Sequence, residues 1–277
     1  MIDYLSKSFP DAVEWLSTSV AFPCSMVDRI VPAMTDARRQ QQASLLGLED
    51  AAAVQTECFS QWIIEDHFAA ERPAWEQAGV EFVQNILPYE NIKLRLLNAS
   101  HTAIAVCGLL LKLETVADVM NDANLAGFIE KLMNEELIPA LDLPEGFDID
   151  HYRDQLLRRF RNPHLHHRCA QIAMDSSEKI SQRWLATLQS ETHTLLTKAL
   201  SGWCYLILHT DIEIDDPRGQ QLLKIRESSE AVTARVREIL ACVRIRNGTI
   251  EDMDRLVSQI EQNIGVVLTQ GLRALLS

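Results

Sequence analysis

Lys93-Leu-Arg-Leu-Leu-Asn98-Ala-Ser-His101, led in by Pro88-Tyr89-Glu90, is where the reading of this chain begins. Pro88 suits the first turn of a helix, where a missing N–H costs nothing, and Glu90 would lie near the positive end of the helix dipole. Taking Lys93 as zero and roughly 100° per residue, Leu97 falls at about 40°, Glu90 at about 60°, His101 at about 80° and Asn98 at about 140°. An amine, an amide, an imidazole and a carboxylate therefore share one side of a helix that also carries Leu94 and Leu97. Burying such groups unpartnered is expensive. A ligand with several hydroxyls would supply partners; a solvated helix face would explain the same pattern without one.

Composition bounds the alternatives. With 277 residues, 47% of them hydrophobic, the chain can bury a core in one or two domains. A net charge of −13 argues against nucleic acid or an anionic membrane as the main partner. The longest apolar run, Ala103 to Leu111, is too short to span a bilayer, and the N-terminus lacks the plan of a signal peptide. Six cysteines lie far apart with no CxxC, as reduced thiols would. These features describe a cytoplasmic protein. No two of the ten glycines are separated by a single residue, so there is no GxGxxG, and no GxxxxGK[ST] either.

Residues 1–19 read as one helical segment, with Asp11 as a plausible cap. Cys58-Phe-Ser-Gln-Trp-Ile-Ile64 reads as a short strand. From about residue 80 the pattern is helical almost throughout. Helices are expected from Pro88 to near Leu113 and from Thr115 to about Leu137. Another, containing Tyr152, Leu156, Leu157 and Phe160, could be capped by Asp150. Asn162-Pro163 offers a cap and a first-turn proline, Asn247-Gly248 a stop, and Thr249 a last cap. Ile250, Met253, Leu256, Val257, Ile260, Ile264, Val267 and Leu268 then form one apolar stripe, read as core packing or, if exposed, a dimer face.

A second constellation is Arg158-Arg159-Phe160-Arg161-Asn162-Pro163-His164-Leu165-His166-His167-Arg168. Four arginines and three histidines in eleven residues are out of keeping with an acidic chain. An anionic or polyhydroxylated ligand would account for them, since guanidinium groups bind carboxylates bidentately. So would a solvated basic face. The histidines and Cys169 match no standard zinc spacing, so no metal is expected.

Several stretches together resemble one family. Lys93, four residues, Asn98, two residues and His101 is similar to the catalytic motif of the polyol-specific long-chain dehydrogenases, the mannitol dehydrogenase and fructuronate reductase (D-mannonate oxidoreductase) family. Phe22-Pro-Cys-Ser-Met-Val-Asp28-Arg-Ile-Val-Pro32 closely resembles its signature segment. Arg159-Phe160, Asn162-Pro163, His167, Gln171-Ile-Ala-Met-Asp175 and Ser177-Glu-Lys179 fall at the family's spacings, although Ser176 replaces an expected glycine. The similarity covers nearly the whole chain, from Phe22 at least to Lys179.

The resemblance implies a metal-independent enzyme that uses NAD or NADP to interconvert a secondary alcohol and a ketone. Lys93 would be the general acid/base; an ordinary lysine titrates at about 10.4, so the role calls for desolvation or nearby positive charge. Asn98 would hydrogen-bond the developing alkoxide, His101 would orient hydroxyls, and Glu90 would relay protons. Asp28 would lie near substrate and cofactor, and Arg159, Arg161, Asn162, His164 and His167 would line the substrate pocket. The wording of the segments and the basic cluster favour D-mannonate/D-fructuronate, with mannitol or arabinitol as alternatives. The implied fold is mainly α, a multi-helix substrate domain (71–277) behind a short β-containing N-terminal segment. That segment (1–70) is expected to be a remnant of the edge of the dinucleotide-binding domain, with no complete Rossmann domain. On that expectation the cofactor is bound mainly by a domain not present here, the chain is truncated and inactive alone, and a separate nucleotide-binding half is a possible partner. A non-catalytic ligand-binding or interaction domain is the alternative.

Overall fold

The computed structural model describes residues 5–185, 187–188, 194–213, 215–243 and 252–276. The chain divides into two compact units, Met1–Ile30 with Glu57–Glu90, and Val31–Thr56 with Asn91–Ser277.

The first unit is built on a sheet. Strands β1 (Ser25–Asp28), β2 (Gln61–Glu65) and β3 (Val80–Val83) lie in the order β1-β2-β3. β1 pairs antiparallel with β2, Val27 opposite Trp62, and β2 pairs parallel with β3, Ile63 opposite Glu81. Side chains alternate along β1, so Met26 and Asp28 are buried while Ser25 and Val27 are exposed. Met26, Ile63 and Ile86 form the core. Two carboxylates close the ends of the sheet. Glu65 accepts from the N–H groups of Cys24 (3.0 Å) and Ile86 (3.4 Å), bonds that lower its pKa. Glu57 accepts from the Ile30 N–H (2.6 Å) while Arg29 donates to the Glu57 carbonyl (2.9 and 3.2 Å).

The sheet extends beyond the short β-containing N-terminal segment that was expected. Val80–Val83 is a strand where a helical pattern was expected to begin, because its two valines and a phenylalanine pair beside β2. The helix ahead of β1 runs Pro10–Ser19 with Phe9, not Asp11, at the cap; Pro10 at its first position fixes the start.

The second unit is helical. A helical run, Leu87–Leu111, enters it and is long and apolar enough to cross a membrane by length and composition. Its part Ala99–Leu111 has Ala99 to Gly108 buried in the unit's own core. Thr115 starts the next helix, Val116–Asn121, in a capping box with Asp118. Asp122 then caps a separate helix, Ala123–Leu132, so the single helix expected to Leu137 is broken by that carboxylate. The helix Ile149–Phe160 is capped by Asp148 rather than Asp150, which sits in its first turn. Asn162 caps only a short 3₁₀ turn, Pro163–Leu165. The polar stretch Arg38–Gln42 lies in a helix, Asp36–Leu46, that buries none of its residues.

The core centres on Thr194–His209, which packs against Met253–Gln270 and Ala99–Leu111. Met253, Leu256, Val257, Ile260, Ile264 and Val267 are buried as the stripe requires, but Leu268 is exposed. Asn247, Gly248, Thr249 and Ile250 lie outside the described residues.

Candidate functional site

The helical run that carries the opening motif is not α-helical throughout. Lys93–Asn98 forms a π-helical segment in which the Ala99 N–H reaches back five residues to the Leu94 carbonyl. A regular α-helix would set Asn98 about 140° from Lys93. A turn closed by i→i+5 bonds instead brings residues five apart one above the other. His101 follows Asn98 by three residues of ordinary helix, again on the same side. The odd spacing of five and then three thereby becomes a single face. Lys93 and Asn98 are half-buried, and His101 is buried.

His101 sits among cations and rings. Its imidazole lies 4.5 Å from the Phe160 ring and 5.3 Å from that of His167, centroid to centroid. His167 is held there because residues 167–169 bridge to 114–116: Val116 N–H donates to the His167 carbonyl (3.0 Å) and Cys169 N–H to that of Glu114 (2.9 Å). Burial first, and then the charges of His167, Arg183 and Arg159, hold the His101 pKa well below the usual range. Burial, then Lys179, brings His167 down to about 4. Lys179 is itself lowered by burial and Arg183, against the raising effect of Asp175 and Asp216. Both imidazoles are therefore neutral at neutral pH. His101 Nε2 and His167 Nδ1 are buried with no protein hydrogen-bond partner among the described residues. Orphaned imidazole nitrogens are costly unless a ligand satisfies them.

The other residues singled out in the sequence separate into groups. Arg159 is buried near His101. Arg161 pairs with Glu130 at the surface. Asn162 spends its side-chain oxygen on the His164 N–H (3.0 Å), and His164 is exposed. Asp28 and Glu90 belong to the first unit, where Asp28 is 1% exposed and Glu90 half-buried.

Sequence reasoning missed Lys179 and Arg183 as members of this cluster, although both lie one turn apart on the helix Ser176–Arg183. Their spacing of four was the available signal. Beside Ser176, the turn is made by Asp175 itself, in the left-handed region (φ 53°). A cavity of about 580 Å³ runs along a neighbouring stripe of the helix Ala99–Leu111, lined by Thr102, Val106, Leu109, Trp203 and Leu206 among others. Its lining is largely apolar and does not include Lys93, Asn98 or His101.

Comparison with known proteins supplies the family. The mannitol dehydrogenase C-terminal domain model matches residues 85–268, and the mannitol dehydrogenase Rossmann domain model matches 3–77. The second match overturns the expectation that the Rossmann domain is missing from this chain and that the cofactor is left to a domain absent from it. D-mannonate oxidoreductase of Escherichia coli (strain K12) is 39% identical over 226 residues, 78% of this chain and 46% of that protein. The uncharacterized oxidoreductase YdfI of the same organism is 37% identical over 94% of this chain and 56% of its own length. The ternary complex of Pseudomonas fluorescens mannitol 2-dehydrogenase with NAD and D-mannitol matches 99% of this chain and 57% of its own, with a TM-score of 0.86 and 28% identity. The chain spans about half the length of the curated relatives it matches. The C-terminal domain model alone covers well over half of this sequence, and the chain belongs to the mannitol dehydrogenase family.

Proposed function

We propose that this protein is an NAD(P)-dependent oxidoreductase that interconverts a secondary alcohol and a ketone of a sugar acid, D-mannonate/D-fructuronate in preference to mannitol or arabinitol. One observation supports the reading above others: Lys93 and Asn98 share a π turn beside a buried His101, whose Nε2 has no hydrogen-bond partner among the described residues, in a neighbourhood rich in cations. In the oxidising direction Lys93 Nζ takes the hydroxyl proton. In the reducing direction it returns that proton to the ketone oxygen. The Asn98 amide donates to the same oxygen as charge develops there. His101, neutral, holds an adjacent hydroxyl. Arg159, Lys179 and His167 favour a carboxylate at the far end of the substrate. Roles for Asp28 in substrate and cofactor contact, and for Glu90 in proton relay, rest on the sequence resemblance alone.

The hydride acceptor is the nicotinamide dinucleotide. This sequence holds no Gly-rich turn behind a strand, and among the described residues the three-stranded sheet carries no glycine-rich loop to cradle a pyrophosphate. Six free thiols fit a reducing, cytoplasmic setting.

The substrate assignment is tested by NADH-linked reduction of D-fructuronate and of D-fructose by the holoenzyme. A charge-assisted contact to the carboxylate predicts about 10- to 100-fold higher kcat/KM for the uronate, and Lys179→Gln should narrow the gap. Equal rates, or a preference for D-fructose, would overturn the sugar-acid assignment.

A further inference from the structure

We propose that Arg183 and Trp184 are positioning residues that clamp the junction where the π turn reverts to α-helix, and so keep Lys93, Asn98 and His101 on one face. The inference rests on the catalytic reading of those three residues given above.

A π turn carries one residue more than an α turn and is uncommon, occurring frequently at functional sites. Relaxing it to α geometry would rotate Lys93 against Asn98 by about 100°, which would dismantle the shared face. Such a conformation persists only where its surroundings over-determine it. The helix Ser176–Arg183 supplies the determinants. Arg183 Nη1 donates to the Asn98 carbonyl (3.2 Å) and to Thr102 Oγ1 (2.9 Å). Thr102 Oγ1 donates to the same Asn98 carbonyl (3.0 Å), closing a triangle. One residue on, the fully buried indole of Trp184 donates from Nε1 to the Ala99 carbonyl (3.1 Å). Two successive carbonyls at the junction thus receive donors from outside their own helix.

The clamp is itself fastened. Asp216 accepts from the Ser177 N–H (2.7 Å), Ser177 Oγ (2.7 Å) and Ser176 Oγ (3.2 Å), capping the first turn of the clamp helix. Trp203 Nε1 donates to Ser176 Oγ (3.0 Å) from the central helix. A chain of bonds therefore runs from the central helix through Ser176–Arg183 to the catalytic turn. Burial holds the Arg183 guanidinium down to about 10. A cation carrying that desolvation cost for packing alone would be better replaced by an apolar side chain.

The test uses the holoenzyme with Arg183→Lys and Trp184→Phe. Lysine keeps the charge but loses the planar fork that serves two acceptors; phenylalanine keeps the ring and loses only the N–H. Hydrogen exchange of the amides of residues 94–102 is measured together with turnover of D-fructuronate. Both variants are expected to exchange faster across 94–102 and to lose about 10- to 100-fold in kcat, with KM changing far less. Added guanidinium ion should partly restore kcat to Arg183→Ala and leave Trp184→Phe unaffected. Unchanged exchange at 94–102 would overturn the clamp, and so would a loss confined to KM, which would make Arg183 a substrate contact. Exchange does not depend on turnover. Full activity in Lys93→Ala would refute the catalytic reading, while the exchange data would still judge the clamp.

Discussion

Below neutral pH this protein should lose stability through its buried histidines, and His167 sets the scale. Its folded pKa is about 4 against an ordinary 6.5, a gap that converts to about 3 kcal/mol. The folded state holds the imidazole neutral, so as pH falls the unfolded chain takes up the proton first. The stabilisation is therefore complete above about 6.5 and is withdrawn as pH drops from there towards 4. His101 acts in the same direction, through burial and then the charges of His167, Arg183 and Arg159, and His209 does so through burial and Arg235. Carboxylates with lowered values, such as Glu65 and Asp122, add to the acid loss, but chiefly as pH falls through their ordinary values of 4.5 and 3.8. The interval from about pH 4.5 to 6.5 thus isolates the histidines. Urea unfolding followed by circular dichroism across that interval should show stability falling with a slope that approaches about 1.4 kcal/mol per pH unit for each histidine engaged. His167→Gln should remove one proton's worth of that slope. A flat profile between pH 7 and 5, or a His167→Gln variant as steep as the parent, would refute the burial argument.

Two further substitutions test the helical unit. A Cβ built on Gly108 meets Cys169 Sγ at 2.4 Å and Val119 Cγ2 at 3.1 Å, so Gly108→Ala should cost about 2 kcal/mol; thermal melts of Gly108→Ala with Cys169→Ala should recover most of it, and failure to recover would place the strain elsewhere. Glu136, 6% exposed, accepts from the N–H groups of Leu195 (2.7 Å) and Leu196 (2.8 Å) at the start of the central helix. Glu136→Ala should therefore destabilise by about 3 kcal/mol and Glu136→Gln by less, measured by denaturant midpoint; equal effects would mean that the capping bonds carry little.

Much of the helical unit was legible because its signals are local. The 3.6-residue stripe from Met253 to Val267 and the Thr115 cap follow from side-chain types at fixed spacing. Asp122 was passed over because a carboxylate between two apolar helices looks like a surface residue until its bonds to Asn124 and Leu125 N–H are seen. Val80–Val83 was read as helical because four residues cannot establish a period, and its pairing partner lies some twenty positions earlier. The Lys93, Asn98 and His101 triplet was visible as a motif, but a uniform 100° step misplaced Asn98, since nothing in Leu94-Arg-Leu-Leu97 announces a π turn. What permits it comes from residues far along the chain, Arg183 and Trp184. The basic run 158–168 concealed a division that only burial reveals, with Arg159 and His167 turned inward and Arg161 and His164 outward.

That Lys93 is the proton donor and acceptor of this site is checked most sharply by turnover of D-fructuronate in Lys93→Ala holoenzyme, with and without added methylamine. Removing a general acid/base predicts a fall of about 10²- to 10⁴-fold in kcat, and methylamine should return part of it in proportion to its free-base concentration. A Lys93→Ala enzyme that keeps full kcat, or a loss that no amine repairs while Asn98→Ala and His101→Ala leave the rate untouched, would contradict the assignment.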